Sequence, residues 1–140
     1  MRLQLIFGIH RATHQIGLFI QRSAAGLTQA EAHILCHLHE SGPATVSALH
    51  QAFAHRRSTL TSVLDRLAAS GMIVRESSQA DRRSFIISLT KAGKSKAAKV
   101  HRVLESLESS VLQNSAPKKL EAFNELLHKL EQQASKGTTK

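Results

Sequence analysis

The sequence predicts a mainly α fold carrying one small β-hairpin, and three observations support that reading. Apolar residues recur at helical spacing through most of the chain. The period shortens to that of strands in a single stretch past the middle. The positive charge gathers on the segment containing that stretch. Of the formal net charge of +9, residues 43–99 hold ten Lys/Arg against three Asp/Glu, residues 1–42 three against two, and residues 100–140 six against five. A polyanionic partner is therefore the first expectation, and it belongs to the middle segment.

Residues 1–26 read as one helix, with Ile6, Ile9, Ile16 and Ile20 at helical spacing beside Leu3, Leu5 and Phe19, ending near Gly26. Thr28 opens a second helix, and Glu31 three residues later makes a capping box. Its buried stripe is Ile34, Leu35 and Leu38, and Ser41-Gly42-Pro43 stops it. Thr45 caps a short third helix with Val46, Leu49 and Phe53 on one side. After His55-Arg56-Arg57-Ser58 a fourth helix runs to about Ser70 and is terminated by Gly71. Leu60, Val63, Leu64 and Leu67 give it one apolar face only.

The period then changes. Met72-Ile73-Val74-Arg75 and Ser84-Phe85-Ile86-Ile87-Ser88-Leu89 are of strand length, and the polar stretch 76–83 between them makes a hairpin. Three helices, the last two tightly joined, followed by a basic-tipped hairpin describe a winged helix-turn-helix over residues 27–93. Residues 94–140 return to helix. Val100, Val103, Leu104, Leu107 and Val111 follow a 3.6 period; Asn114-Ser115-Ala116-Pro117 interrupts it, with Ser115 as cap and Pro117 in the next first turn. The last helix carries Leu120, Phe123, Leu127 and Leu130, with Leu126 alongside.

A lobe of this size cannot cover the apolar stripes of both terminal helices. A second copy of the chain is the expected partner, with Ile6, Ile9, Leu120, Phe123, Leu127 and Leu130 at the dimer contact; an intramolecular helical hairpin is the alternative.

Composition excludes several classes. Aromatic residues make up 4%, with no Trp or Tyr, which argues against base-stacking binders of single strands. The lone Cys36 excludes an intramolecular disulfide and suits a reducing compartment. His10, Arg11, His14 and Gln15 interrupt the N-terminal apolar run too early for a signal peptide or membrane span, so a cytoplasmic protein without membrane contact is expected. There is no Gly-rich phosphate loop, no Gly-x-Ser-x-Gly and no His-Glu-x-x-His, so no enzyme is expected.

Several runs now match a known pattern. They are Leu27-Thr28, Leu35 and Leu38, Thr45-Val46-Ser47-Ala48-Leu49, Ser58-Thr59-Leu60-Thr61 and Val63-Leu64-Asp65-Arg66-Leu67. Further on come Ser70-Gly71-Met72-Ile73-Val74-Arg75, Asp81-Arg82-Arg83 and Leu89-Thr90-Lys91-Ala92-Gly93. In these the sequence resembles the MarR family of bacterial winged helix-turn-helix transcriptional regulators. The resemblance implies a homodimer on a pseudo-palindromic operator in double-stranded DNA, usually a repressor and often released by a small-molecule effector. It also implies that the helices flanking the lobe dimerise. Ser62 stands where many relatives carry Arg in the recognition helix, so no base preference carries over.

With its apolar face inward, the fourth helix turns Ser58, Thr61, Ser62 and Asp65 outward at i, i+3, i+4 and i+7. Short hydroxyl side chains allow close approach to base edges. Arg56 and Arg57, at the helix start, point to phosphates or base edges, where the helix dipole adds attraction. Asp65 would be repelled by phosphate, so an ion pair with an arginine of the chain is expected for it. Thr45, Thr59 and Arg66 complete the candidate set in the helices. In the wing, Arg83 suits a narrow, negative minor groove, with Asp81 two residues away to hold its guanidinium; Arg82 and Arg75 suit phosphate. The bland alternatives are a solvated helix side and a solvent-exposed ion pair.

Nine histidines raise a metal reading, because some MarR-like proteins sense zinc. The candidates are His14, the i, i+4 pair His33 and His37, and His101 with Glu105. A zinc-sensing regulator of the same fold, or a winged helix used for protein contacts, are the alternative functions. No cofactor is otherwise expected. Cys36, beside Ile34 and Leu35, reads as a small buried thiol rather than a redox sensor; the family's peroxide sensors carry their cysteine in the first helix, where this chain has none.

Overall fold

The computed structural model describes residues 2–24, 26–78 and 84–137. Its order is α1 (Gln4–Ser23), α2 (Gln29–Ser41), β1 (Ala44–Thr45), α3 (Val46–Phe53), α4 (Arg57–Ala69), β2 (Ile73–Ser77), β3 (Phe85–Leu89), α5 (Lys91–Leu112) and α6 (Pro117–Lys136). It is a mostly helical winged helix with a small antiparallel sheet, as the periodicity predicts.

The chain divides into two compact units, Met1–Val103 and Leu104–Lys140. The first contains the winged helix and also α1, because Ile20 and Ala24 at the end of α1 are buried. Its core is the set of apolar stripes read above: Ile34, Leu35 and Leu38 of α2, Leu49 of α3, and Leu60, Val63, Leu64 and Leu67 of α4. Ile73, Ile87, Ala97 and Val100 complete it. Each such aliphatic side chain contributes on the order of 2 kcal/mol on burial.

The helix starts follow the local chemistry. Thr28 Oγ1 accepts from the Glu31 amide at 3.2 Å, and Thr45 Oγ1 accepts from the Ala48 amide at 3.0 Å. Glu31 departs from a standard capping box. Its carboxylate accepts from the Thr28 hydroxyl at 3.0 Å and from Arg66 Nε at 3.3 Å, and the residue is buried. At the end of α4 the Met72 amide donates to the Leu67 carbonyl and the Gly71 amide to that of Ala68, with Gly71 at φ 77°. This is a Schellman closure, which needs a residue free to adopt positive φ.

The sheet holds one more strand than the hairpin predicted from the sequence. Its order is β1-β3-β2, with Ala44 opposite Ile87 and Thr45 opposite Ile86, and with Ile73 opposite Leu89 and Ser77 opposite Phe85. The hairpin is closed beyond its last pair by a bond from the Ser78 amide to the Ser84 carbonyl at 2.9 Å.

Thr90 joins wing to helix. Its hydroxyl donates to the Gly71 carbonyl at 2.6 Å and accepts from the Gly93 amide at 2.9 Å, while its own amide reaches the Met72 carbonyl. Gly93 then passes so close to Met72 that a Cβ there would lie 1.9 Å from the carbonyl oxygen. The Leu-Thr-x-x-Gly run is thus a cap followed by a backbone crossing.

In the second unit, Pro117 occupies the first turn of α6 as expected, but the cap is Ala116 without a side-chain bond. Ser115 does not cap α6. Its hydroxyl turns back to the Val111 carbonyl at 3.3 Å and satisfies the end of α5 instead. No residue of α6 is buried; Phe123 is 47% and Leu126 50% exposed.

Candidate nucleic-acid interface

Helix α4 is divided lengthwise. Leu60, Val63, Leu64 and Leu67 are all buried, whereas Arg57, Ser58, Thr59, Thr61, Ser62, Asp65 and Arg66 are exposed. The outward face predicted from the spacing is therefore present. The N-terminal end of the helix is open: its cap residue Arg56 is extended and makes no side-chain bond to the first-turn amides. Those N–H groups carry the positive end of the dipole, and Arg56 and Arg57 add two exposed cations there. An anion is the natural complement of that arrangement.

Two ion pairs fix this face relative to its surroundings. Asp65 pairs with Arg75 of β2, which fulfils the expectation that Asp65 meets an arginine and ties the middle of α4 to the first strand of the wing. Arg66 pairs with the buried Glu31, linking α4 to the start of α2. Both arginines were candidates for DNA contact; here each has a carboxylate partner, Arg66 with 52% of its side chain still exposed and Arg75 with 33%. The Asp65–Arg75 pair is solvent-exposed and contributes under about 1 kcal/mol, so its effect is orientation more than stability.

Thr45 is likewise occupied, its hydroxyl capping α3. Asp81, Arg82 and Arg83 lie outside the described residues. The strands that lead to them are described, and their ends are joined by the bond from the Ser78 amide to the Ser84 carbonyl.

A groove missed by the sequence reading runs between α3, α4 and β3. It has a volume of about 290 Å³ and is lined by Val46, Ser47, His50, Arg57, Leu60, Thr61, Ser84 and Phe85. Its signal was present in outline. Ser47 and His50 share one side of α3, and Phe85 opens a strand with an aromatic ring that remains 46% exposed.

The histidines do not assemble. Among the described residues no three His, Cys, Asp or Glu side chains come together as a metal site. His14 is exposed on α1, His37 meets Phe53 edge-on, and His101 lies 2.8 Å from Glu40 and packs against His39. Cys36 is half-buried, and burial, with the Glu40 charge second, pushes its thiol up to about 11. At neutral pH it is protonated and a poor nucleophile. No helix among the described residues is long and apolar enough to cross a membrane.

Comparison with known proteins agrees with this architecture. The MarR family model matches residues 27–85, from two residues before α2 to the first residue of β3. AbfR of Staphylococcus epidermidis, in its reduced form bound to DNA, is similar in structure with a TM-score of 0.79 at 26% identity, covering 94% of this chain and 92% of that one. A mutant MarR from E. coli in complex with operator DNA gives 0.74 at 21%, covering 91% and 94%. A probable transcriptional regulator from Pseudomonas aeruginosa gives 0.74 at 24%, covering 91% and 97%. The last two share the fold. Coverage this wide includes the terminal helices as well as the lobe. No curated protein matches the sequence significantly.

Proposed function

We propose that this chain, whose residues 27–85 belong to the MarR family, is a transcriptional regulator that binds double-stranded DNA as a homodimer. The observation that carries the reading is the division of α4, with a hydroxyl-lined exposed face and an uncapped, arginine-flanked start. Ser58, Thr59, Thr61 and Ser62 are the base-facing set, and Arg56 and Arg57 the phosphate-facing set. In the wing, Arg83 enters the minor groove, Asp81 orients it, and Arg82 meets phosphate. Arg66 and Arg75 act mainly by holding α4 against α2 and the wing, and Thr45 by starting α3.

The dimer is supported by apolar surface that the protomer leaves uncovered. At the start of α1 these are its cap residue Leu3 with Ile6 and Phe7; on α6 they are Leu120, Phe123 and Leu126. Ile9, Leu127 and Leu130, half-buried, flank them. Two copies present two α4 helices about 34 Å apart, which calls for a pseudo-palindromic operator. Repression by occupying that operator, with release by a small molecule, is the mode of action we assign, in a cytoplasmic setting.

Selection of bound duplexes from a random pool tests the reading, and an inverted repeat with half-sites about one turn apart is the expected product. Affinity for the selected duplex should fall steeply with salt, and Arg57→Ala should reduce the slope of log K against log salt by about 1. Arg83→Ala should weaken DNA binding without altering dimerisation. Unchanged affinity in both variants would favour a winged helix used for protein contacts.

A further inference from the structure

The first turns of α5 carry charge of one sign. Residues 91–104 contain Lys91, Lys94, Lys96, Lys99 and Arg102 and no Asp or Glu; carboxylates return to the sequence only with Glu105 and Glu108. Gly93, Ala97 and Val100 are buried and set the inward side of the helix. The helical repeat turns Lys91, Lys94, Lys99 and Arg102 the opposite way, with Ser95 among them, and all five are exposed. None of these four cations has a carboxylate partner among the described residues. From Lys91 to Arg102 the stripe spans about 16 Å.

A helix face that serves only solubility interleaves both signs, since opposite charges one turn apart stabilise it and like charges do not. Lys91 and Lys94 are placed less favourably still. They stand at the start of α5, where the dipole is positive, and the first turn holds no acidic residue. The surrounding elements offer little relief. Glu31 and Asp65 are held by Arg66 and Arg75, Glu40 by His101, and Glu76 stands opposite Ile86, toward the far end of the hairpin from α5. The repulsion is thus left to a polyanion from outside. Beside the cations lie only the small residues Ala92, Ser95 and Ala98. A protein partner needs an aromatic or large apolar anchor at the centre of its contact, and this stripe has none. A regular row of phosphates needs only the cations.

The stripe is separate from the surface offered by α4. The Thr90 hydroxyl bonds to the Gly71 carbonyl and Gly93 crosses Met72, so α5 begins at the C-terminal end of α4. Arg56 and Arg57 lie at the other end of that helix, about 20 Å away by its length. Farther along α5, His101 packs against His39 of α2, whereas His37, on the other side of α2, meets Phe53 just before α4. Helix α2 therefore stands between this part of α5 and the turn that leads into α4. We propose that Lys91, Lys94, Lys99 and Arg102 form a second, sequence-independent surface for the backbone of duplex DNA, so that a molecule holding one duplex through α4 holds another through α5. The holding of two duplexes rests on the reading of α4 proposed above; the contact of the stripe itself does not.

The test is a bridging assay on the full-length chain. One random-sequence duplex of about 30 base pairs is attached to a surface and a second, fluorescent one is offered in solution with the protein. The wild type should retain the second duplex at low salt. That retention should fall about a hundredfold between about 50 mM and about 200 mM salt, as four phosphate contacts require. The stripe variant, Lys91→Gln with Lys94→Gln, Lys99→Gln and Arg102→Gln, should still bind the surface duplex and no longer retain the second. A control variant of equal charge, Lys118→Gln with Lys119→Gln, Lys129→Gln and Lys136→Gln in α6, should bridge as the wild type does. Three results would overturn the proposal: a wild type that retains no second duplex, a stripe variant that bridges undiminished, or a control variant that loses bridging equally. A wild type that retains no second duplex but binds poly-glutamate through the stripe would assign these cations to an acidic protein instead. A stripe variant that binds no duplex at all would overturn the α4 reading and leave the stripe as the DNA surface.

Discussion

Gly93 shows how much a single residue can carry. The Leu-Thr-x-x-Gly run ends on it, and the structure gives the reason: the amide bonds to the Thr90 hydroxyl while the Cα passes the Met72 carbonyl. A methyl group placed there would be 1.9 Å from that oxygen, which is backbone and cannot swing aside. Gly93→Ala should therefore cost on the order of 3 kcal/mol by urea denaturation, as the wing or α5 is forced to shift. Gly8, within α1, has nothing within 4 Å of its would-be Cβ. Gly8→Ala should stabilise by about 0.5–1 kcal/mol through helix propensity. Equal effects from the two substitutions would show that Gly93 is tolerated for its flexibility and not required for its small size. Glu31 makes the same point for charge: its burial is sustained by the Thr28 hydroxyl and Arg66, so its role as helix-cap residue is only part of what it does.

At the scale of elements, the helices were legible because each carries its own punctuation. Thr28 with Glu31, Thr45, Gly71 and Pro117 mark starts and stops in the sequence, and the structure uses each of them at or within a residue of the expected place. The face of α4 was legible for a similar reason, since Leu60, Val63, Leu64 and Leu67 fix which side is buried and thereby which is exposed. What could not be read depends on residues distant in sequence. β1 is two residues long and is defined only by pairing with Ile86 and Ile87, more than forty positions on. The partners of Arg66 and Arg75 likewise arise only once α2, α4 and β2 have packed. Ser115 failed as a cap because its hydroxyl had a nearer acceptor behind it, the Val111 carbonyl. Thr45 tests whether a helix cap doubles as a DNA contact. Thr45→Ala should lower stability by about 1 kcal/mol through loss of the cap. Loss of DNA affinity with unchanged stability would assign the hydroxyl to DNA instead.

For the whole molecule, most of the large exposed apolar side chains lie outside the segment that holds the charge excess. The excess of Lys/Arg lies in residues 43–99, while large exposed apolar side chains stand on α1 and on α6. A monomer rarely keeps that much apolar surface in contact with water, and two copies burying it would bring both lobes onto one duplex. The benefit of pairing is multiplicative, because once one lobe is bound the second meets its half-site at a high effective concentration. Phe123 and Leu126, both about half exposed in the protomer, can be changed without disturbing a folded core. Phe123→Glu with Leu126→Glu should leave the helical content intact, halve the mass seen in sedimentation, and weaken binding to an inverted-repeat duplex by on the order of a hundredfold. Binding to a single half-site should change little, since α4 and the wing are untouched. An unchanged sedimenting mass would place the dimer contact on some other surface. A monomer that still binds the inverted repeat as tightly as the wild type would show that each lobe reads DNA independently of the other.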